Sequence, residues 1–285
     1  MTESSFSCST PAAVLRGTRR GRGPAVVLLH GGPGCYDYFS GSALVDWLAS
    51  THTVYGYDQR GCRHSPSPGP FTIEANVADL EALREFIGAE RIGLLGHSAG
   101  ALLAAGYLVE HSARVDWFVG LSPAGLKSNW RPAFDAAIRD RITPEQQRQL
   151  DEIDRLILRT ADCADREGLY RRRFDTVLPC YVDPGHRARA PQMEHYSREV
   201  NVQVAASVQT AAQNPAWTQS LAEYRGRAGI IHGRSDPIPW IVADEWAALL
   251  PRATVYPLEH CGHFPWLEEP EALRSALFAF LSGGG

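Results

Sequence analysis

The sequence predicts an α/β fold, a mostly parallel sheet with helices on both faces and a block of helices inserted into it. Short apolar runs recur at a steady rhythm, at residues 24–29, 53–57, 92–95, 115–121 and 228–233. Continuous apolar runs of that length read as strands buried on both faces. Segments with apolar residues at helical spacing separate them, as with Val77, Leu80, Leu83, Phe86 and Ile87, and strands alternating with helices imply parallel pairing. The rhythm fails between about residues 132 and 224, where the chain is rich in helical patterning and charge and has no convincing buried strand.

In chain order, the polar segment 1–17 lacks the basic start and apolar centre of a signal peptide. Residues 13–16 predict a short first strand that turns at 19–23. The strand at 24–29 stops on His30-Gly31-Gly32-Pro33-Gly34, and a buried strand ending on glycines brings backbone to where a ligand binds in open α/β sheets. Phe39, Leu44, Trp47 and Leu48 predict a helix within 36–50. The next strand, 53–57, ends in Asp58-Gln59-Arg60-Gly61. After a proline-rich loop at 65–70, Thr72 is placed to cap the following helix. Ile92 to Leu95 then run into Gly96-His97-Ser98-Ala99-Gly100 and a small-residue helix. Within the helical block, 142–160 is amphipathic and capped near Thr143-Pro144. The sheet resumes at 228–233 and stops at Arg234-Ser235-Asp236-Pro237. A helix at 240–250 and a last strand at 254–258 lead to Glu259-His260-Cys261-Gly262-His263-Phe264, and 270–281 is the closing helix. The division expected is a core of residues 1–125 and 225–285 with a helical cap of 126–224.

Bulk properties exclude several classes of function. The chain has 285 residues, 44% hydrophobic and 21% charged, with a formal charge of −4, which is unlike the basic excess of a nucleic-acid binder. No apolar stretch approaches the ~20 residues of a membrane span. The cysteines at 8, 35, 62, 163, 180 and 261 show no Cys-x-x-Cys spacing, so no zinc or redox pair is expected, and a reduced, cytoplasmic compartment fits. Residues 124–224 carry 14 Lys/Arg against 14 Asp/Glu. Arg171-Arg172-Arg173 therefore reads as a solvated helix face rather than a docking patch.

The chemistry gathers at the carboxyl ends of the strands. Gly-x-Ser-x-Gly at 96–100 is the pattern of a nucleophile elbow, which holds a serine on a strained strand-to-helix turn with its hydroxyl exposed. A serine hydroxyl is a weak nucleophile and needs a base oriented by a third group. Three polar residues at the carboxyl ends of predicted strands, Ser98, Asp236 and His263, stand in the order Ser, Asp, His, although Asp236 also fits an Asp-Pro turn. His260 competes with His263 on position alone; together they lack a third ligand for a metal, so no metal is expected. No phosphate loop or Gly-x-Gly-x-x-Gly fingerprint is present, so no cofactor is expected. His97 reads as a structural neighbour of the elbow. Asp58 and Arg60 read as a charge-assisted pair that fixes the loop beside the site.

Taken together, His30-Gly31-Gly32-Pro33-Gly34, Asp58-Gln59-Arg60-Gly61, Gly96-His97-Ser98-Ala99-Gly100, Gly233-Arg234-Ser235-Asp236 and Gly262-His263-Phe264-Pro265 resemble the signature blocks of the α/β-hydrolase superfamily. The resemblance selects His263 through its Gly-His-x-Pro pattern and implies catalysis by Ser98, Asp236 and His263. The oxyanion hole would be formed by the amides of Ala99 and Gly32. The first two blocks are closest to the proline iminopeptidase subgroup, which removes N-terminal proline and uses cap carboxylates to hold the substrate amine. Two positions depart from it: Ala99 stands where Trp is usual, and Arg63 where Gly is usual. Glu194 and Glu199 are conceivable amine-binding counterparts. Aromatic residues near the loops and in the cap (Tyr36, Tyr38, Trp130, Phe134, Phe174, Tyr181, Tyr196 and Trp217) point to an apolar or aromatic acyl group, with Tyr36, Trp130 and Tyr196 as the substrate contacts expected. The function expected is a serine hydrolase acting on an ester, thioester or amide of a small molecule or peptide. The residues leave open a biosynthetic acyltransferase or thioesterase with a carrier protein as partner, a proline iminopeptidase, and a non-catalytic ligand-binding member of the fold.

Overall fold

The computed structural model describes residues 3–283; Met1, Thr2, Gly284 and Gly285, and the side chains of Ser128 and Cys163, lie outside the description. One eight-stranded sheet runs through the molecule in the order β1-β2-β4-β3-β5-β6-β7-β8. Its strands are β1 (Ser4–Ser9), β2 (Val14–Gly21), β3 (Ala25–Leu29), β4 (Thr53–Tyr57), β5 (Ile92–His97), β6 (Val115–Leu121), β7 (Arg227–Gly233) and β8 (Ala253–Leu258). From β4 to β8 every pairing is parallel, while β1 and β2 join antiparallel at one edge.

Alternation along the strands explains why both faces are covered. On β3, Val27 and Leu29 enter one core while Val26 and Leu28 enter the other. The first core is closed by α2 (Ile73–Ile87), α3 (Ala99–His111) and α9 (Ile241–Leu249), the second by α1 (Ala43–Ala49) and α11 (Pro270–Ser282), next to the single-turn α10 (Pro265–Glu268). Thr72 caps α2 by accepting from the Ala75 amide.

Between β6 and β7 stand α4 (Arg131–Arg141), α5 (Pro144–Arg159), α6 (Cys163–Val177), α7 (Arg198–Gln213) and α8 (Pro215–Ala222), with no strand among them. Thr143 and Gln146 form a reciprocal capping box at the start of α5. No helix among the described residues is long and apolar enough to cross a membrane.

The first 21 residues differ from the sequence expectation. The polar start contains β1, and the strand expected at 13–16 continues to Gly21 as β2 in place of a turn at 19–23. These strands form an edge hairpin in which Cys8 and Leu15 are buried while most alternate positions face solvent. Their apolar content is too thin for the pattern that marks the central strands.

Candidate active site

Ser98 stands between β5 and α3 with φ 53° and ψ −121°, a conformation costing on the order of 1–3 kcal/mol for a residue with a side chain. Packing on either side holds it there. A Cβ on Gly100 would lie 2.0 Å from the Leu29 carbonyl oxygen, and one on Gly96 would lie 2.5 Å from the Gly100 carbonyl oxygen. Only glycine admits so close an approach of the turn to β3. The Ser98 amide donates to the Leu121 carbonyl at 3.0 Å, and the Ala124 amide donates to the Ser98 carbonyl at 3.0 Å, which ties the turn to the end of β6.

Asp236 follows β7, and its two carboxylate oxygens have separate tasks. Oδ1 accepts from the Ile238 amide at 2.8 Å, and Oδ2 lies 2.8 Å from His263 Nδ1. Burial works against the charged form of Asp236. The positive charge and hydrogen bond available from His263, with help from His232 and the Ile238 amide, outweigh burial and hold its pKa below the ordinary value. An ionised Asp236 makes Nδ1 the protonated nitrogen of His263 and leaves Nε2 as its basic one. Ser98 and His263 line the same cavity. No hydrogen bond joins Ser98 Oγ to the imidazole among the described residues, and such contacts tighten when substrate is bound.

His97 is not the base. Its Nε2 lies 2.8 Å from the His263 carbonyl oxygen, and its Nδ1 lies 2.5 Å from the Tyr38 hydroxyl. Nε2 therefore carries the proton and Nδ1 accepts from Tyr38. Burial, reinforced by the neighbouring His263 and His30, keeps the His97 pKa well below its ordinary value, so the ring is neutral. The Gly31 amide donates to the same Tyr38 oxygen at 2.5 Å, and the Tyr38 ring stacks on Trp266 at 5.7 Å. One chain of hydrogen bonds thus runs from the glycine loop through Tyr38 and His97 to the backbone of His263. Next in that loop, the Gly32 amide has no acceptor among the described residues; nor has the Ala99 amide at the first turn of α3. Both are available to an incoming oxyanion.

His30 clamps the ends of β3 and β4 together. Its Nε2 accepts from the Gln59 amide at 3.1 Å, and Gln59 Nε2 donates back to the His30 carbonyl at 2.8 Å. Burial brings the His30 pKa down from 6.5 to about 4. Between those values the unfolded chain binds a proton that the folded one refuses, so stability rises with pH through this window and is lost as pH falls through about 4. The full effect is about 3 kcal/mol. Chemical denaturation of wild type and His30→Gln at several pH values should show a slope about one proton shallower in the variant across the window. Parallel pH slopes would show that His30 titrates normally in the fold.

A cavity of about 700 Å³ opens over Ser98, walled by the loop after β3, the segment 124–134 after β6, and α6 and α7. Tyr38, Trp130, Phe134, Phe174, Tyr181 and Tyr196 line it. The Tyr181 ring lies 5.4 Å from that of His263, and Phe134 lies 5.5 Å from both Tyr181 and Trp130. Among the described lining residues the charged ones are Lys127, Arg131 and Arg198, and none is Asp or Glu.

Residues 24–270 match the alpha/beta hydrolase fold family. The chain belongs to that family, and the protein is an α/β-hydrolase-fold enzyme. It is similar to a proline iminopeptidase of Heyndrickxia coagulans, 25% identical over a gapped alignment of 284 residues that covers 92% of each chain. A proline iminopeptidase of Lactobacillus helveticus (strain DPC 4571) is 39% identical over a gapped alignment of 135 residues that covers 45% of each chain. Of solved structures, an alpha/beta fold family hydrolase from Bacillus anthracis str. Sterne superposes with a TM-score of 0.74 at 20% identity, covering 98% of this chain and 100% of that one.

Several residues of this α/β-hydrolase fall elsewhere than the sequence suggests. Tyr36 does not line the cavity: it is buried, with the Arg63 guanidinium 4.9 Å from its ring centroid, and Tyr38 faces the site instead. Trp130 and Tyr196 do line the cavity, and Trp217 does not. Asp58 and Arg60 are not partners. Arg60 makes a buried bidentate pair with Asp79 of α2, at 2.7 Å for each contact, whereas Asp58 accepts from the amides of Asp37 and His64. Glu194 is drawn into an ion pair with Arg63, and Glu199 accepts from Gln203; neither carboxylate lines the cavity. Arg63 sits at φ 33°, a backbone conformation that favours glycine. Sequence reasoning passed over the positioning role of His97 and Tyr38 together, and over Lys127 and Arg131 as lining residues. Only the two positive charges beside Trp130 hinted at the latter.

Proposed function

We propose that this α/β-hydrolase cleaves an ester, thioester or amide of a small apolar or aromatic substrate through an acyl-enzyme on Ser98. The reading rests on one arrangement: an Asp236–His263 pair with its tautomer set, whose imidazole lines the same cavity as a strained serine flanked by two unengaged amides. Ser98 Oγ attacks the acyl carbon as its proton passes to His263 Nε2. The charge that develops on the carbonyl oxygen is met by the Ala99 and Gly32 amides, while ionised Asp236 stabilises the imidazolium. Collapse expels the leaving group, which takes the proton from His263. Water then attacks the acyl carbon by the same route in reverse, with His263 accepting its proton and returning it to Ser98.

A fluorophosphonate probe with mass-spectrometric mapping tests the nucleophile. One phosphonyl adduct is expected, on the peptide containing Ser98, and none in Ser98→Ala. An enzyme that turns over aryl esters yet takes up no adduct at Ser98 would exclude the mechanism.

The names of the curated relatives supply a second reading, release of N-terminal proline. That substrate carries an ammonium group, and the described lining of this cavity holds no carboxylate to receive it, with Glu194 engaged by Arg63. Ester cleavage therefore ranks first. Proline 4-nitroanilide turned over faster than 4-nitrophenyl esters of matched size would reverse the order.

A further inference from the structure

We infer that the substrate bears an anionic group, a carboxylate or its equivalent, received at the mouth of the cavity by Lys127 and Arg131; this rests on the reading of Ser98 as the nucleophile. The charges lining the cavity are of one sign, and no Asp or Glu among the described lining residues offsets them. Arg198 is the most engaged of the three cations: its side chain donates to Asn201 Oδ1 at 3.2 Å and approaches the Tyr170 ring. Lys127 and Arg131 make no ion pair and no side-chain hydrogen bond to a described residue. Some exposed arginines elsewhere do pair with acids, as with Arg91–Asp116 and Arg173–Asp154.

Arg131 also has aromatic neighbours. Its guanidinium lies 4.7 Å from the Trp130 ring centroid and 5.8 Å from that of Phe134. Stacking on aromatic faces orients the planar fork and leaves its N–H edges for a ligand, a geometry suited to a carboxylate. The same aromatic wall continues through Tyr181 to His263. An apolar body lying along that wall would bring its reacting carbonyl to Ser98 and its anionic end to Arg131. The positive charge of Arg131 already acts on Tyr181, opposing the upward push of burial on that phenol.

Both cations are exposed, so water and salt screen them and the preference should be moderate and salt-sensitive. Two matched pairs of esters read it: 4-nitrophenyl hydrogen adipate against 4-nitrophenyl hexanoate, and 4-carboxyphenyl acetate against its methyl ester. The first places the anion on the acyl side and the second on the leaving group. After correction for hydroxide reactivity, kcat/KM should favour the anionic member of at least one pair by about tenfold. That ratio should fall towards one in about 0.5 M salt and in the double variant Lys127→Gln/Arg131→Gln, and be partly kept in Arg131→Lys. Each ratio is taken within one protein, so a loss of folded enzyme lowers both members alike and leaves it unchanged. A ratio of one or below in both pairs overturns the inference, as does a preference that neither salt nor the double variant reduces. Turnover of the neutral esters that Ser98→Ala abolishes would leave the proposed mechanism standing in either event. Turnover that Ser98→Ala leaves intact would remove the mechanism itself.

Discussion

Ser98→Ala is expected to lower kcat on 4-nitrophenyl esters by about 10⁶-fold, the scale seen when the nucleophile of a well-studied serine protease is removed. The alanine removes the hydroxyl that the proposed mechanism needs to form the acyl-enzyme. It leaves the Ala99 and Gly32 amides in place, so residual activity above the uncatalysed rate should survive. Little loss of stability should accompany the change, since the φ 53°, ψ −121° backbone is retained and alanine is the smaller side chain. The measurements are kcat against a buffer blank and Tm by calorimetry. A loss below about tenfold would assign the chemistry to another residue.

Asp236→Asn should cost about 10⁴-fold in kcat with KM little changed, the loss known when such an aspartate becomes an amide. The geometry gives the reason. The Ile238 amide donates to Oδ1 at 2.8 Å and will hold the amide oxygen of Asn on that side. The NH₂ group then faces His263 Nδ1, where Oδ2 now stands at 2.8 Å. Facing a donor, Nδ1 must accept, the ring proton moves to Nε2, and His263 can no longer take a proton from Ser98. Asp236→Ala removes the orienting group without enforcing the wrong tautomer. Comparing the two separates loss of orientation from tautomer reversal; a smaller loss in Asn than in Ala would contradict the tautomer account. NMR of the imidazole nitrogens in Asp236→Asn should find the proton on Nε2.

The sites with a local cause were legible in the chain. Gly96 and Gly100 announce the elbow because backbone of β3 and of the turn itself occupies the space a side chain would need. Asp236 could be read because it follows a buried strand, and parallel strands deliver their carboxyl ends to one edge of the sheet; His263 follows the more exposed β8 and is separated from His260 by its Gly-His-x-Pro pattern. Thr72 and Thr143 were readable as caps because capping involves only residues a few places apart.

Contacts across the fold were not legible. The partner of Arg60 is Asp79, on a helix that the chain reaches only after a proline-rich loop, and nothing in the spacing favours it over adjacent Asp58. Tyr36 and Tyr38 stand in an irregular loop without a period, so the sequence could not say which of them turns to the site. Of the β1–β2 hairpin only the start of β2 could be read, because an edge strand half in solvent needs little apolar residue. Between β6 and β7, helical periodicity identifies helices and their apolar faces. It does not give the angle at which one helix crosses another, and that angle determines which side chains reach a cavity.

The sequence by itself determined the parallel sheet and the three residues placed at its strand ends, because buried runs, strained turns and caps are written in adjacent residues. Only the tertiary structure decided how those residues are held and what surrounds them. It joined His97 and Tyr38 into a brace between the glycine loop and His263, paired Glu194 with Arg63, and set Lys127 and Arg131 in the lining of a cavity that has no acid among its described residues. The charge of a cavity is a property of surfaces brought together from distant segments. It exists only after the helices between β6 and β7 have packed over the sheet.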